Sequence, residues 1–274
     1  MKLNKPLVSV AWLKTNLEAS NLVILNASIP KVSEKTAMAS DESLIPYTRF
    51  FDIKNKFSDT SASFPNTFPS EAQFTREAQL LGIDCDSCIV IYDDKGIYSS
   101  ARAWWLFKAF GHDNVAVLDG GLPEWNKLNC ATENYQPFQG KSGDFVGVEN
   151  KKLMKFFEDV KLETQNASHI IMDARSEERF NCLVDEPREG LRRGRIPNSV
   201  NLPFENVLDG HCLKKEDDLK RLFSKFANTN DHITFSCGSG ITACVLALGA
   251  QLAGYKYLSV YDGSWTEWGS LTSS

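Results

Sequence analysis

One pattern is written twice along this chain at a nearly fixed offset, and a repeat of that length restricts the fold more than any other feature of the sequence. In the first half, Ile89-Val90-Ile91-Tyr92-Asp93-Asp94 leads into a helical stretch from Tyr98 to Phe110. Val115-Ala116-Val117-Leu118-Asp119-Gly120-Gly121 and Glu124-Trp125 follow. The second half repeats this with Ile233-Thr234-Phe235-Ser236-Cys237, a helical stretch from Ile241 to Ala253, Leu258-Ser259-Val260-Tyr261-Asp262-Gly263 and Glu267-Trp268. Asp262 minus Asp119, Gly263 minus Gly120 and Trp268 minus Trp125 each give 143, and that offset lays Cys237 over Asp94. Upstream the match loosens but persists, pairing Leu22-Val23-Ile24-Leu25-Asn26 with Ile170-Ile171-Met172-Asp173 and Ile45-Pro46 with Ile196-Pro197.

A duplicated unit within 274 residues leaves each copy large enough to bury its own core without metal or disulfide staples. Each copy alternates short β-rich apolar runs with helical stretches, which predicts an α/β domain whose mainly parallel sheet is flanked by helices. Active sites of such sheets lie beyond the carboxyl ends of the strands. The expected division is a first domain over 1–135, a polar Gly- and Pro-containing linker over 136–148, and a second domain over 149–274 that opens on an amphipathic helix from Glu149 to Val160.

The charge balance, 30 basic against 35 acidic side chains, gives a net charge of −5 and no general attraction for nucleic acid or anionic lipid. No apolar run approaches the roughly eighteen residues of a membrane span, and Met1-Lys2-Leu3-Asn4-Lys5-Pro6 lacks the apolar stretch of a signal peptide. The expected location is the cytoplasm, or the mitochondrion for a eukaryotic chain. Seven cysteines, an odd and unevenly spaced set, fit reduced thiols better than a disulfide framework. Cys85 and Cys88 have half-site spacing, but no second Cys/His pair follows, and the four histidines share no ligand spacing. Neither a metal nor a cofactor is expected.

The chemistry concentrates at Cys237-Gly238-Ser239-Gly240-Ile241-Thr242, between a strand-like and a helix-like run. A glycine-rich turn lets successive backbone N–H groups converge, and the following helix adds its positive end. Both favour a thiolate over a thiol, which makes Cys237 the candidate nucleophile. A buried packing cysteine is the plainer alternative, but packing alone requires no Gly-Ser-Gly turn after it.

Cys237-Gly238-Ser239-Gly240-Ile241-Thr242-Ala243, with Tyr261-Asp262-Gly263-Ser264-Trp265-Thr266-Glu267-Trp268-Gly269, resembles the active-site loop and C-terminal signature of the 3-mercaptopyruvate sulfurtransferases of the rhodanese superfamily. Phe50-Phe51-Asp52-Ile53, Arg102-Ala103-Trp104-Trp105 and Leu118-Asp119-Gly120-Gly121-Leu122 are similar to that family's first domain, so the resemblance spans nearly the whole chain. It implies two tandem rhodanese-like domains, the first inactive and the second catalytic. It also implies a Cys237 persulfide formed from 3-mercaptopyruvate and a thiol acceptor such as thioredoxin or a small thiol, with hydrogen sulfide as a further product. Thiosulfate-preferring relatives resemble Cys-Arg-Lys-Gly, whereas Gly238 and Ser239 are uncharged. Thiosulfate sulfurtransferase is therefore the runner-up.

By the same resemblance, Arg179 before Phe180 and Arg188 after Pro187 match two substrate-binding arginines, whose planar forks suit an α-keto carboxylate. Gly238, Gly240, Ile241 and Thr242 complete the expected substrate loop, Thr242 also capping the loop or the first helical turn. Ser239 is expected to assist proton movement. Arg192, Arg193 and Arg195 are expected to be solvated or paired with neighbouring acids. One departure stands out: the family's acidic and histidine relay positions fall on Lys54 and Asn66, neither of which can relay a proton in that way. A cysteine phosphatase would need an arginine six residues after Cys237, where Ala243 stands. A non-enzymatic sulfur carrier would need neither arginine.

Overall fold

A computed structural model describes residues 1–30, 43–166 and 168–273. The chain divides into two compact units, one comprising Met1–Thr60, Phe68–Asn150 and Gly210–Cys212, the other Ser61–Thr67, Lys151–Asp209 and Leu213–Ser274.

The first unit is built on a five-stranded sheet in the order Leu7–Val8, Val115–Leu118, Cys88–Tyr92, Leu22–Asn26, Thr48–Phe50. Every pairing is parallel. The central Cys88–Tyr92 is buried along its whole length, as an unbroken apolar strand covered on both faces must be. One helix, Ser100–Ala109, carries Trp104, Trp105 and Phe107 into the interior, while Phe51 stacks on Phe57 and Phe74 meets Phe57 edge-on nearby. The segment expected as a linker is bound into this unit: the N–H groups of Gly143, Phe145 and Val148 donate to the carbonyls of Gln79, Ile83 and Phe110.

The second unit repeats the order with Met154–Lys155, Leu258–Tyr261, His232–Ser236, His169–Asp173 and Val200–Asn201, again all parallel. Val160, Ile171, Ile196, Tyr261, Trp265 and Trp268 form one of its apolar clusters. The continuous helix expected over Glu149–Val160 is instead the strand Met154–Lys155 followed by the helix Phe157–Glu163. Edge pairing wins over helical periodicity there, because Val260 N–H donates to Leu153 O at 2.9 Å. The Asp159 carboxylate then accepts Phe156 N–H and starts the helix late. Among the described residues no helix is long and apolar enough to cross a membrane.

The register of the repeat differs locally from the sequence offset. The strands Cys88–Tyr92 and His232–Ser236 lie 144 residues apart, whereas the helices Ser100–Ala109 and Ala243–Leu252 lie 143 apart, so the first unit's loop 93–99 is one residue longer than 237–242. Cys237 directly follows its strand, and so does Asp93. Matching backbone bonds agree, since Leu122 N–H donates to Asp93 O and Trp265 N–H donates to Cys237 O, each at 3.0 Å. The structural counterpart of Cys237 is therefore Asp93, and Asp94 is the residue beside it.

Candidate active site

Cys237 lies at the carboxyl end of the central strand of the second unit and is only 2% exposed. Its N–H donates to Ser264 Oγ at 3.0 Å, and the Ser264 hydroxyl donates to Tyr261 O at 2.9 Å. Ser264 adopts φ 49°, a left-handed conformation that costs a non-glycine residue energy and that these two bonds help to hold.

The loop after Cys237 is anchored through its carbonyls. Trp265 N–H donates to Cys237 O, and Thr266 donates to Gly238 O through its N–H and its hydroxyl. Asn66 Nδ2 donates to Ser239 O at 3.3 Å, the Cys244 thiol to Gly240 O at 3.3 Å, and Cys244 N–H to Ile241 O at 3.2 Å. In a trans peptide the N–H points opposite to the carbonyl, and no cis bond occurs among the described residues. Each anchored carbonyl thus turns the next N–H, from Gly238 to Thr242, to its opposite side. None of those five N–H groups donates to an acceptor among the described residues. Gly240, at φ 76°, permits the reversal that joins this nest to the helix Ala243–Leu252. Thr242 occupies the N-cap position of that helix but makes no side-chain cap bond, contrary to expectation; its backbone is helical there, and the Cys244 thiol takes up the loop carbonyl instead.

Arg179 stands beside the loop. The short helix Glu177–Phe180, capped by the Ser176 hydroxyl, presents it so that a Cβ on Gly238 would sit 3.1 Å from Arg179 Nη2. That approach explains an uncharged, side-chain-free residue at position 238: the cation arrives from another element. Arg179 Nη2 donates to Glu186 Oε2 at 2.6 Å, while its Nε is buried without a hydrogen-bond partner. Glu186 is shared with Arg175, whose fully buried guanidinium also grips Asp173 and the Gly194 carbonyl and lies 4.9 Å over the Trp265 ring. Burial works against the Arg175 charge, but Asp173 and Glu186 outweigh it and hold its pKa above the ordinary arginine value. Asp173, Arg175 and Glu186 thus form a buried ion-pair cluster beside Arg179, and with Arg179 included the four charges sum to zero. Sequence reading passed over it because Arg175 and Glu186 look like ordinary members of a charged run.

Other expected residues fall out differently. Arg188 is half-buried, and its carbonyl accepts Leu191 N–H at 3.2 Å. Arg193 pairs with Asp185 on the surface, as expected. Arg192 is structural instead, donating to the carbonyls of Gly269 and Thr272 and lying 4.7 Å over Trp265, and Arg195 lies over the Phe180 ring. Lys54 is exposed on a turn of the first unit, whereas Asn66 belongs to the second unit and donates to Ser239 Oγ at 3.1 Å. Elsewhere, burial pushes the Cys88 thiol up, and burial together with the Asp119 and Glu124 carboxylates pushes Cys212 to about 11, which keeps both protonated at neutral pH.

A family model described as a rhodanese-like domain matches residues 9–128 and again 157–271. The chain is 37% identical over 289 residues to a mitochondrial thiosulfate/3-mercaptopyruvate sulfurtransferase of Arabidopsis thaliana, covering 97% of this chain and 76% of that one. To the human 3-mercaptopyruvate sulfurtransferase it is 35% identical over 277 residues, covering 97% and 93%. The crystal structure of SseA from Escherichia coli, described as a 3-mercaptopyruvate sulfotransferase of rhodanese fold, superposes with a TM-score of 0.86 at 30% identity, over 96% of this chain and 99% of that one.

Proposed function

Because the chain belongs to the rhodanese-like domain family, as a sulfurtransferase with two copies of the domain, we propose that Cys237 carries sulfur as a persulfide between 3-mercaptopyruvate and a thiol acceptor. The observation that carries this reading is the open nest of N–H groups from Gly238 to Thr242 after a buried cysteine, with the Arg179 guanidinium alongside.

The chemistry follows from that geometry. The Cys237 thiolate attacks the substrate sulfur, an S–S bond forms, and the C–S bond breaks with its electron pair passing to the ketone as the pyruvate enolate. The proton released from the substrate thiol ends on the enolate carbon, so thiolate plus 3-mercaptopyruvate become persulfide anion plus pyruvate with charge conserved. Donors of the nest hold negative charge first on the Cys237 sulfur and then on the outer sulfur. Arg179, through its unused N–H groups, holds the substrate carboxylate, and Arg188 is the second candidate for that carboxylate. In the second half-reaction a thiol attacks the outer sulfur and leaves as its own persulfide, restoring the Cys237 thiolate; a dithiol goes on to a disulfide and hydrogen sulfide, and cyanide would leave as thiocyanate. Seven free cysteines and this thiol chemistry suit a reducing compartment, cytoplasmic or, as in the Arabidopsis relative, mitochondrial.

Steady-state rates with 3-mercaptopyruvate and with thiosulfate, under one thiol acceptor, test the reading. The first donor is expected to be preferred. In Arg179→Lys the charge stays but the planar fork is lost, and kcat/KM for 3-mercaptopyruvate is expected to fall about ten- to hundred-fold. A wild-type preference for thiosulfate together with unchanged Arg179→Lys kinetics replaces the donor with thiosulfate.

A further inference from the structure

We propose that Asn66 is a positioning residue that fixes the polarity of the Ser239 hydroxyl; the role rests on the reading of Cys237 as sulfur carrier. Asn66 lies in the segment Ser61–Thr67, which belongs with the second unit although its sequence falls within the first. It adopts φ 60°, a left-handed conformation that asparagine tolerates better than most residues. Its side-chain amide faces two oxygens of Ser239, the carbonyl at 3.3 Å and Oγ at 3.1 Å.

That pair of contacts settles which way the amide points. The Ser239 carbonyl can only accept, so the amide atom facing it is the nitrogen, and its two hydrogens serve one oxygen each. Ser239 Oγ is thereby an acceptor towards Asn66, and its own proton is left to donate. Ser239 is 7% exposed and its hydroxyl donates to no acceptor among the described residues, so that proton is available to a bound group. Asn66 does not titrate. It therefore makes Ser239 a fixed neutral donor towards negative charge developing on the reacting sulfur or the leaving group, joining the N–H groups of the same loop. A histidine or carboxylate at position 66 could accept the serine proton and reverse its direction. Asparagine facing a carbonyl cannot.

The test uses two substitutions that both tolerate the left-handed backbone. Asn66→Gly removes the amide, and Asn66→Asp keeps the shape but replaces donor by acceptor. With 3-mercaptopyruvate and a thiol acceptor, Asn66→Gly is expected to lower kcat about tenfold with little change in KM, the loss of one hydrogen bond made in the transition state. Asn66→Asp is expected to be slower still. Its deficit relative to wild type should shrink as pH falls towards the carboxyl range near ~4, where a protonated acid can donate again. Ser239→Ala and the Ser239→Ala, Asn66→Gly double variant should be equally slow, because the amide acts through the serine. A merely structural role would make the shape-preserving Asp variant the milder one at every pH and would leave the two losses multiplicative; either result overturns the proposal, as does unchanged kcat in Asn66→Gly. Thermal unfolding checks that each variant is folded, and if the Asp variant is not, the Gly and Ser239 cycle decides alone. If wild type turns over only thiosulfate, the donor reading fails instead, and the same cycle read with thiosulfate and cyanide still decides the role of Asn66.

Discussion

Two loops hold the same place in two copies of one sheet, and they differ in what occupies their backbone donors. In the first unit Asp93 is fully buried, and its carboxylate accepts the N–H groups of Lys95, Tyr98 and Ser100 at 2.8–2.9 Å and the Ser100 hydroxyl at 2.6 Å. In the second unit the residue at that place is Cys237, and the five N–H groups that follow reach no acceptor among the described residues. One loop's donors are filled by a side chain of its own. The other's are open to the sulfur chemistry proposed for Cys237. A nest already satisfied by a covalently attached carboxylate can serve stability but not group transfer, whereas a cysteine in an open nest can gain and lose a sulfur atom without disturbing the backbone around it. On the proposed function, then, the first copy serves as scaffold and the second as site, and the loops differ in the residue after the strand, Asp93 or Cys237, and by one inserted residue.

Replacing the Cys237 sulfur should separate the two loops most sharply. Cys237→Ser keeps the shape of the residue but cannot hold a persulfide, so sulfur transfer is expected to vanish while unfolding temperature is nearly unchanged. Mass spectrometry of wild type after one turnover with donor should place a single added sulfur on the peptide containing Cys237. Sulfur on Cys244 or Cys85 instead would reassign the carrier. Cys88 and Cys212 are expected to stay unmodified, since burial, joined at Cys212 by nearby acids, holds them as thiols.

Removing the first loop's carboxylate should act on stability rather than turnover. Asp93→Asn can keep an oxygen at the Oδ2 place, which accepts two N–H groups and a hydroxyl, but then turns its NH2 on the Lys95 N–H that Oδ1 accepts, and each hydrogen bond to a charged group contributes about 1.5–3 kcal/mol. A loss of about 3 kcal/mol is expected in the unfolding transition of the first unit, followed by denaturant titration. The rate per folded molecule should stay within about twofold of wild type. A large fall in that rate with stability intact would mean that Asp93 belongs to the chemistry.

Much of this contrast is legible in the sequence, and the part that is not has a physical reason. The repeat, the parallel α/β sheets and the position of Cys237 can be read from runs such as Ile89–Tyr92 and Ile233–Ser236, because buried parallel strands are continuous apolar runs and a Gly-Ser-Gly turn is a strong local signal. What escapes is anything set by long-range packing. Asn66 looks like a failed relay when counted along the chain, yet folding brings it 173 positions forward to Ser239 as a donor. The Asp173–Arg175–Glu186–Arg179 cluster is hidden for the same reason, since only the fold tells a buried ion pair from a solvated one. The offset of 143 is correct for the helices but one residue off for the strands, because an inserted loop residue leaves no mark in either flanking pattern.

That inserted residue offers the finest test of the comparison. Sequence offset pairs Cys237 with Asp94, whereas the strand ends and the matching Asp93–Leu122 and Cys237–Trp265 backbone bonds pair it with Asp93. The two aspartates make opposite claims on the loop. The Asp94 side chain is 29% exposed and, among the described residues, pairs with Lys95 Nζ at 3.1 Å, while its backbone N–H, which any residue supplies, donates to Ser28 Oγ. A partly exposed pair of this kind contributes about 0–1 kcal/mol, less in high salt. Asp94→Asn should therefore shift stability by no more than that and leave sulfur transfer unchanged, in contrast to the loss expected for Asp93→Asn. Measuring the two variants side by side, in low and in high salt, separates the registers. Equal destabilisation by both, or a larger one at Asp94, would mean that the carboxylate filling the first nest is not the counterpart of the Cys237 sulfur, and the contrast between a closed and an open loop would have to be redrawn one residue along.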